Sequence, residues 1–221
     1  MIIKRQSVKN ALVKAFVACS LDGCFERMSF IRRNDSLLYR RTCADFVQEV
    51  EFYFDLRPKY KPTAVAHILP HIRFEFQPMV PIIAAMASNH PLARVAKKRF
   101  TALLFRNQIN NIAPYGQRSN YWYLYDVDNA NECVESMKVF VETWCFPFME
   151  EYSTIEAIIK GYERSDERLH SDKQFDLCIA ACYIFLELPQ KALEILERHF
   201  GSPGLRREYS QAFEYVLSKM R

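Results

Sequence analysis

Glycine is scarce in this chain, with five residues in 221. Loops that cradle phosphate need several positions without a Cβ, so nucleotide-dependent chemistry is disfavoured from the start. No Walker loop, Gly-x-Gly-x-x-Gly, Gly-x-Ser-x-Gly elbow or His-Glu-x-x-His occurs, which removes the usual signatures of NTPases, dinucleotide enzymes, serine hydrolases and zinc proteases. Long apolar runs are missing too. Residues 79–87 and 178–186 are the longest, well short of the roughly 20 that a membrane-spanning helix needs, and no membrane partner is expected. The N-terminus has no apolar signal core, and the seven cysteines are odd in number and scattered. That usage fits reduced thiols in a cytoplasmic protein better than a disulfide framework.

Half of the residues are hydrophobic and a quarter charged, the balance of a globular chain long enough to bury a core without disulfides or metal. The net charge of +4 is unevenly placed: residues 1–41 hold nine Lys/Arg against three acids, +6, and the remainder is −2. A basic N-terminal region can draw an anionic partner such as nucleic acid, although a solvated charged face accounts for it as well.

The strongest pattern is a pair of alternating runs. In residues 46–56 the even positions are Phe46, Gln48, Val50, Phe52, Phe54 and Leu56, while Glu49, Glu51, Tyr53 and Asp55 fall between them. After a loop rich in Pro, Lys and Tyr, residues 65–76 place Ile68, Ile72, Phe74 and Phe76 on one face and His67, His71, Arg73 and Glu75 on the other. Period 2 in both runs predicts an antiparallel hairpin, greasy flank inward and ionic flank outward.

Around it, residues 8–19 read as an amphipathic helix ending near residues 21–23, with strands expected at residues 25–31, 37–42 and 121–125. Residues 79–89 predict a helix, and residues 91–105 fit either helix or strand. From residue 128 onward the pattern is helical. Asn129 with Glu132, Ser153 with Glu156 and Ser171 with Gln174 have capping-box spacing, and Pro147 should end or kink the first of these helices. The expected architecture is α+β: an antiparallel meander of about four to five strands with an N-terminal helix in residues 1–128, and a helical subdomain in residues 129–221 packed on it.

Candidate chemistry concentrates on the ionic flank of the hairpin. Parity allows two registers: one sets Glu49 opposite His71, the other sets Glu51 opposite His71 and Glu49 opposite Arg73. Either brings a carboxylate within reach of the imidazole, so His71 with Glu49 or Glu51 is the candidate acid/base pair. Cross-strand charge pairs also decorate solvated sheet faces, with no chemistry implied. His67 and His71 have the four-residue separation of helical zinc ligands, but on a strand they stand roughly 13 Å apart; no metal and no cofactor is expected. His67, Arg73, Tyr121, Tyr123 and Tyr125 are candidate binding residues, because a row of tyrosines can grip a peptide or stack bases. Few basic residues interleave that row, which argues against nucleic acid. A second basic cluster, Arg94, Lys97, Lys98 and Arg99, is another candidate phosphate contact, although a solvated helix face accounts for it as well.

The order of helix, Cys24-Phe25-Glu26-Arg27, paired strands, aromatic strand and helical tail resembles small bacterial domains of unknown function of the immunity or accessory type. The resemblance covers residues 5–155 and carries no functional residues. Residues 180–196 resemble half of a tetratricopeptide-type helical hairpin, without the 34-residue recurrence of an array. The lack of a catalytic set beside a chemically mixed sheet face points to a non-enzymatic, immunity- or accessory-like protein that binds a protein partner through the polar sheet face or the groove between sheet and tail. A small hydrolase-like enzyme using the His/Glu pair is the alternative, and a nucleic-acid binder acting through the basic N-terminal region is a third reading. Oligomeric state is left open.

Overall fold

The computed structural model describes residues 4–33, 36–87, 103–118, 121–169 and 172–220. In chain order they form α1 (Arg5–Ala18), α2 (Leu21–Arg27), β1 (Ile31–Arg32), β2 (Leu38–Cys43), β3 (Phe46–Leu56), β4 (Ala66–Phe76), α3 (Val80–Met86), β5 (Leu103–Gln108) and β6 (Trp122–Leu124). Then follow α4 (Ala130–Phe140), a π-helical turn (Val141–Cys145), α5 (Phe146–Glu151), α6 (Ile155–Glu163), α7 (Lys173–Phe185), α8 (Pro189–Phe200), α9 (Pro203–Glu208) and α10 (Ser210–Ser218). The sheet runs β1-β2-β3-β4-β5, a meander in sequence order, and β6 joins antiparallel at the start of β4 with His67 opposite Tyr123 and Ile68 opposite Trp122. The fold is α+β, as the alternating runs predict. No helix among the described residues is long and apolar enough to cross a membrane.

The chain forms two compact units, each discontinuous in sequence: Met1–Cys43, Val47–Arg73 and Arg106–Ser153 make one, and Ala44–Phe46, Phe74–Phe105 and Thr154–Arg221 the other. They do not divide at residue 128, because α4 packs on α1 and β6 within the first unit. That unit is centred on aromatic rings. Phe25 stacks on Tyr39 with centroids 3.9 Å apart, and Phe16, Phe52 and Phe146 meet the pair edge-on or tilted. In the second unit α7 packs against α8, α3 against α7 and α10, and Phe76 meets Phe185 edge-on at 5.0 Å.

Several local expectations are corrected. Residues 25–27 are helical, not the start of a strand: Leu21, Cys24 and Phe25 are all buried on one helical face, and β1 shrinks to two residues. The N-terminal helix ends at Ala18, and Ser20, at φ 56°, turns the chain into α2. The helix starts lie one residue from two of the expected caps. Thr154 rather than Ser153 accepts from the Ala157 amide, and Asp172 accepts from Phe175. Asn129 makes no side-chain cap, whereas Asp126 caps the short turn before it.

Pro147 neither ends nor breaks the helical run. The Phe146 amide bonds the Val141 carbonyl across a widened π turn, which accommodates a residue that has no amide and whose ring would crowd the carbonyl four positions back. Of residues 91–105 only the strand from Leu103 is described; the earlier part, with the basic cluster at residues 94–99, lies outside the described residues.

Candidate functional site

The hairpin forms, and its register is the second of the two that parity allows. The Arg57 amide donates to the Val65 carbonyl at 3.0 Å, and Arg73 reaches Glu49 at 3.3 Å. The greasy flank is buried as expected, from Phe46 through Phe54. The ionic flank is not wholly in water. Glu49 is only 3% exposed, held by Arg40 and Arg73, each at 3.3 Å. A carboxylate so enclosed between two guanidiniums is a structural anion, since a lone buried charge is far too costly to keep.

The His71 pair with Glu49 or Glu51 is not assembled as an acid/base couple. His71 Nδ1 donates to the Leu69 carbonyl oxygen at 3.0 Å, and Glu51 accepts from the Tyr53 hydroxyl, whose pKa is raised by burial first and then by that bond. Tyr53 lies edge-on to His71 at 5.1 Å, under the Arg106 guanidinium. Burial lowers the pKa of His71; the Leu69 carbonyl opposes this, Arg106 reinforces it and Glu51 opposes it least. The imidazole is therefore kept neutral, and the carboxylate contribution that would make it an acid is the smallest of the four.

Three of the five candidate binding residues, His67, Tyr121 and Tyr123, meet. His67, on β4, lies opposite Tyr123 on β6 with ring centroids 4.7 Å apart, and Tyr121 lies 5.9 Å from the same imidazole. Alternation along β6 puts Tyr121, Tyr123 and Tyr125 on one face, with Tyr121 and Tyr125 exposed, while Trp122 and Leu124 turn into the core and the Trp122 indole donates to Ser136. The loop after β3 contributes Tyr60, whose hydroxyl is 2.6 Å from His67 Nδ1. Burial lowers the pKa of His67, with Asp55 opposing; the neutral ring accepts the phenol proton at Nδ1. Tyr60, His67, Tyr121, Trp122 and Tyr123 wall a cleft of about 420 Å³ that Ile68, Leu69, Pro70, Gln108 and Asn110 also line, and Tyr125 lies outside it. Lys61 places its ammonium 5.8 Å above the Tyr123 ring. Arg73 belongs to the Glu49 cluster and does not line this cleft.

Sequence reasoning missed two polar clusters. On β2, Arg41 is 8% exposed, stacks on Phe30 at 4.7 Å, donates to Gln48 at 2.6 Å and pairs with Glu150 of α5. In the second unit, Asp176 of α7 is 4% exposed and accepts from Tyr162 at 2.8 Å, with His199 Nδ1 3.1 Å away. The only signal for the latter was an aspartate inside an otherwise apolar helix. Its geometry resembles a nucleophile-activating relay, but burial and then the Asp176 bond raise the pKa of Tyr162, so the phenol holds its proton more firmly than usual. The cluster locks α6, α7 and α8 together.

Among the described residues no group of three His, Cys, Asp or Glu is placed to hold a metal ion. Cys178 and Cys182 are buried on α7, and burial pushes the Cys178 thiol up to about 12, which leaves it protonated and unreactive. No protein-family model, curated protein or solved structure matches this chain.

Proposed function

We propose that this protein is a non-enzymatic interaction protein, of the immunity or accessory type, that holds a segment of a protein partner in the tyrosine cleft between β4, β6 and the loop after β3. The observation that carries the reading is the meeting of Tyr60, His67, Tyr121 and Tyr123 around one recess. Tyrosine offers rigid apolar area and a hydrogen-bonding tip at low entropic cost, which is why it concentrates at recognition surfaces. The absence of an assembled acid/base pair at His71 removes the main support for the hydrolase alternative.

The test is photo-crosslinking in the host cell, with a light-activated amino acid in place of Tyr121. A control carries it at Tyr115, which is 83% exposed and does not line the cleft. One discrete adduct from position 121, absent from position 115 and lost on adding Tyr123→Ala, is the expected result. Identical adducts from both positions, or none from 121, would refute the reading.

A further inference from the structure

The aromatic wall of the cleft has a carboxylate beside it. Bonds at both ends of the hairpin, from the Gln77 amide to the Asp45 carbonyl and from the Arg57 amide to the Val65 carbonyl, hold one register. In that register Asp55 of β3 stands opposite His67 of β4, which is itself opposite Tyr123 of β6. Cross-strand neighbours lie about 4.5 to 5.5 Å apart at Cβ, so Asp55 flanks the rings from the β3 side. Its charge acts on both the Tyr60 phenol and His67.

The wall also offers acceptors. Tyr60 spends its phenol proton on His67 Nδ1, so its oxygen has only lone pairs left for a newcomer, and guanidinium and ammonium groups carry donors alone. The rings add a second attraction, because the face of a tyrosine draws a cation lying within about 6 Å of its centroid. They do not form a flat shelf: the Tyr60 ring stands at 82° to His67, with centroids 5.7 Å apart.

The chain already uses this attraction on itself. The Lys61 ammonium is seated 5.8 Å from the Tyr123 centroid, at the end of a flexible four-carbon stem that can swing into water. A cation from outside would compete with it for the same ring and the same carboxylate.

Resting on the interaction reading above, we infer that the cleft takes an arginine or lysine side chain of the partner segment, with Asp55 as counter-charge and Lys61 as the resident cation it displaces.

The experiment follows backbone amide shifts of the full chain by NMR as three ten-residue Gly-Ser peptides are added. Their central residue is arginine, citrulline, which has nearly the same shape without the charge, or glutamate. Saturable shifts at residues 59–61 and 121–123 with the arginine peptide, at a Kd below about 10 mM, are expected. The citrulline peptide should bind about fivefold more weakly, and the glutamate peptide should be inert. Tyr121→Leu keeps apolar bulk but loses the ring face, and should weaken the arginine peptide about two- to fivefold. Asp55→Asn should weaken it by about the same factor, and Lys61→Gln, which removes the competitor, should tighten it by about as much. Asp55 and Tyr121 are exposed and Lys61 half-buried, so these substitutions leave the fold intact. Citrulline binding equal to arginine, preference for glutamate, an affinity unchanged in Tyr121→Leu or Asp55→Asn, or one unchanged or weakened in Lys61→Gln overturns the inference. If the arginine peptide fails while the position-121 adduct forms, the interaction reading stands and this inference falls; if both fail, so do both claims.

Discussion

The Tyr60 hydroxyl meets His67 Nδ1 at 2.6 Å, a bond that needs the imidazole neutral if the phenol is to donate. His67 and His71 both have lowered pKa values, burial being the first cause in each. In the unfolded chain a histidine takes its proton near pH 6.5, whereas the folded pair resists it. The unfolded state therefore binds more protons as the pH falls below that value, and stability declines on acidification while staying flat above it. Urea midpoints measured from pH 8 to pH 5 should follow this course, and His71→Asn should flatten part of the slope. A midpoint that rises on acidification contradicts the assignment.

Glu49 and Glu51 are neighbours on one flank with different burdens. Glu49→Gln removes the charge that neutralises Arg40 and Arg73, and since both guanidiniums keep some solvent, the expected loss is about 2 kcal/mol. Glu51→Gln should stay within about 0.5 kcal/mol. Chemical denaturation of the two variants side by side separates a structural anion from a decorative one; equal effects would mean that Glu49 is not holding the flank.

Arg41 serves Gln48, Glu150 and the Met28 carbonyl from one planar fork while stacking on Phe30. Lysine keeps the charge but cannot reproduce that geometry, so Arg41→Lys should cost about 2 kcal/mol. Thermal melts settle the point, and a variant melting with the parent would show the charge alone to suffice.

Every described residue with positive φ carries a side chain, and no described glycine does. Ser29, Ser165 and Glu187 each close a helix: the next residue's amide reaches back to Phe25, Gly161 and Tyr183 respectively. This is the cap that glycine usually provides. Ser165→Gly and Glu187→Gly should each raise stability by about 0.5 to 1 kcal/mol, read from denaturation midpoints. A loss in both would indicate that these side chains compensate for their strained backbone.

The hairpin, its two faces and the tyrosine row were legible because period 2 is a local property, and the face carrying Phe52 and Phe54 had no alternative but the core. Burial of Glu49 was not legible. It depends on Arg40, from a different strand, and a carboxylate that alternates correctly looks the same in sequence whether it meets water or guanidinium. Tyr60 was hidden within a loop, where no periodicity marks a residue that folds back over His67. The end of the N-terminal helix was misread by a few residues, because Ser20 rather than a glycine takes the left-handed position that follows it. Tyr162, Asp176 and His199 sit on three separate helices, and no spacing rule links them.

The widened turn at Val141–Cys145 uses five residues to advance about as far around the axis as four would in an ordinary helix. Removing one amino acid inside a helix normally rotates everything downstream by about 100° and scrambles its apolar seam. Here, deleting exposed Glu142 together with Pro147→Ala would excise the surplus and leave Phe148 and Tyr152 facing the core as before. The segment is, in geometric terms, a place where chain length can change by one without the protein losing its phase.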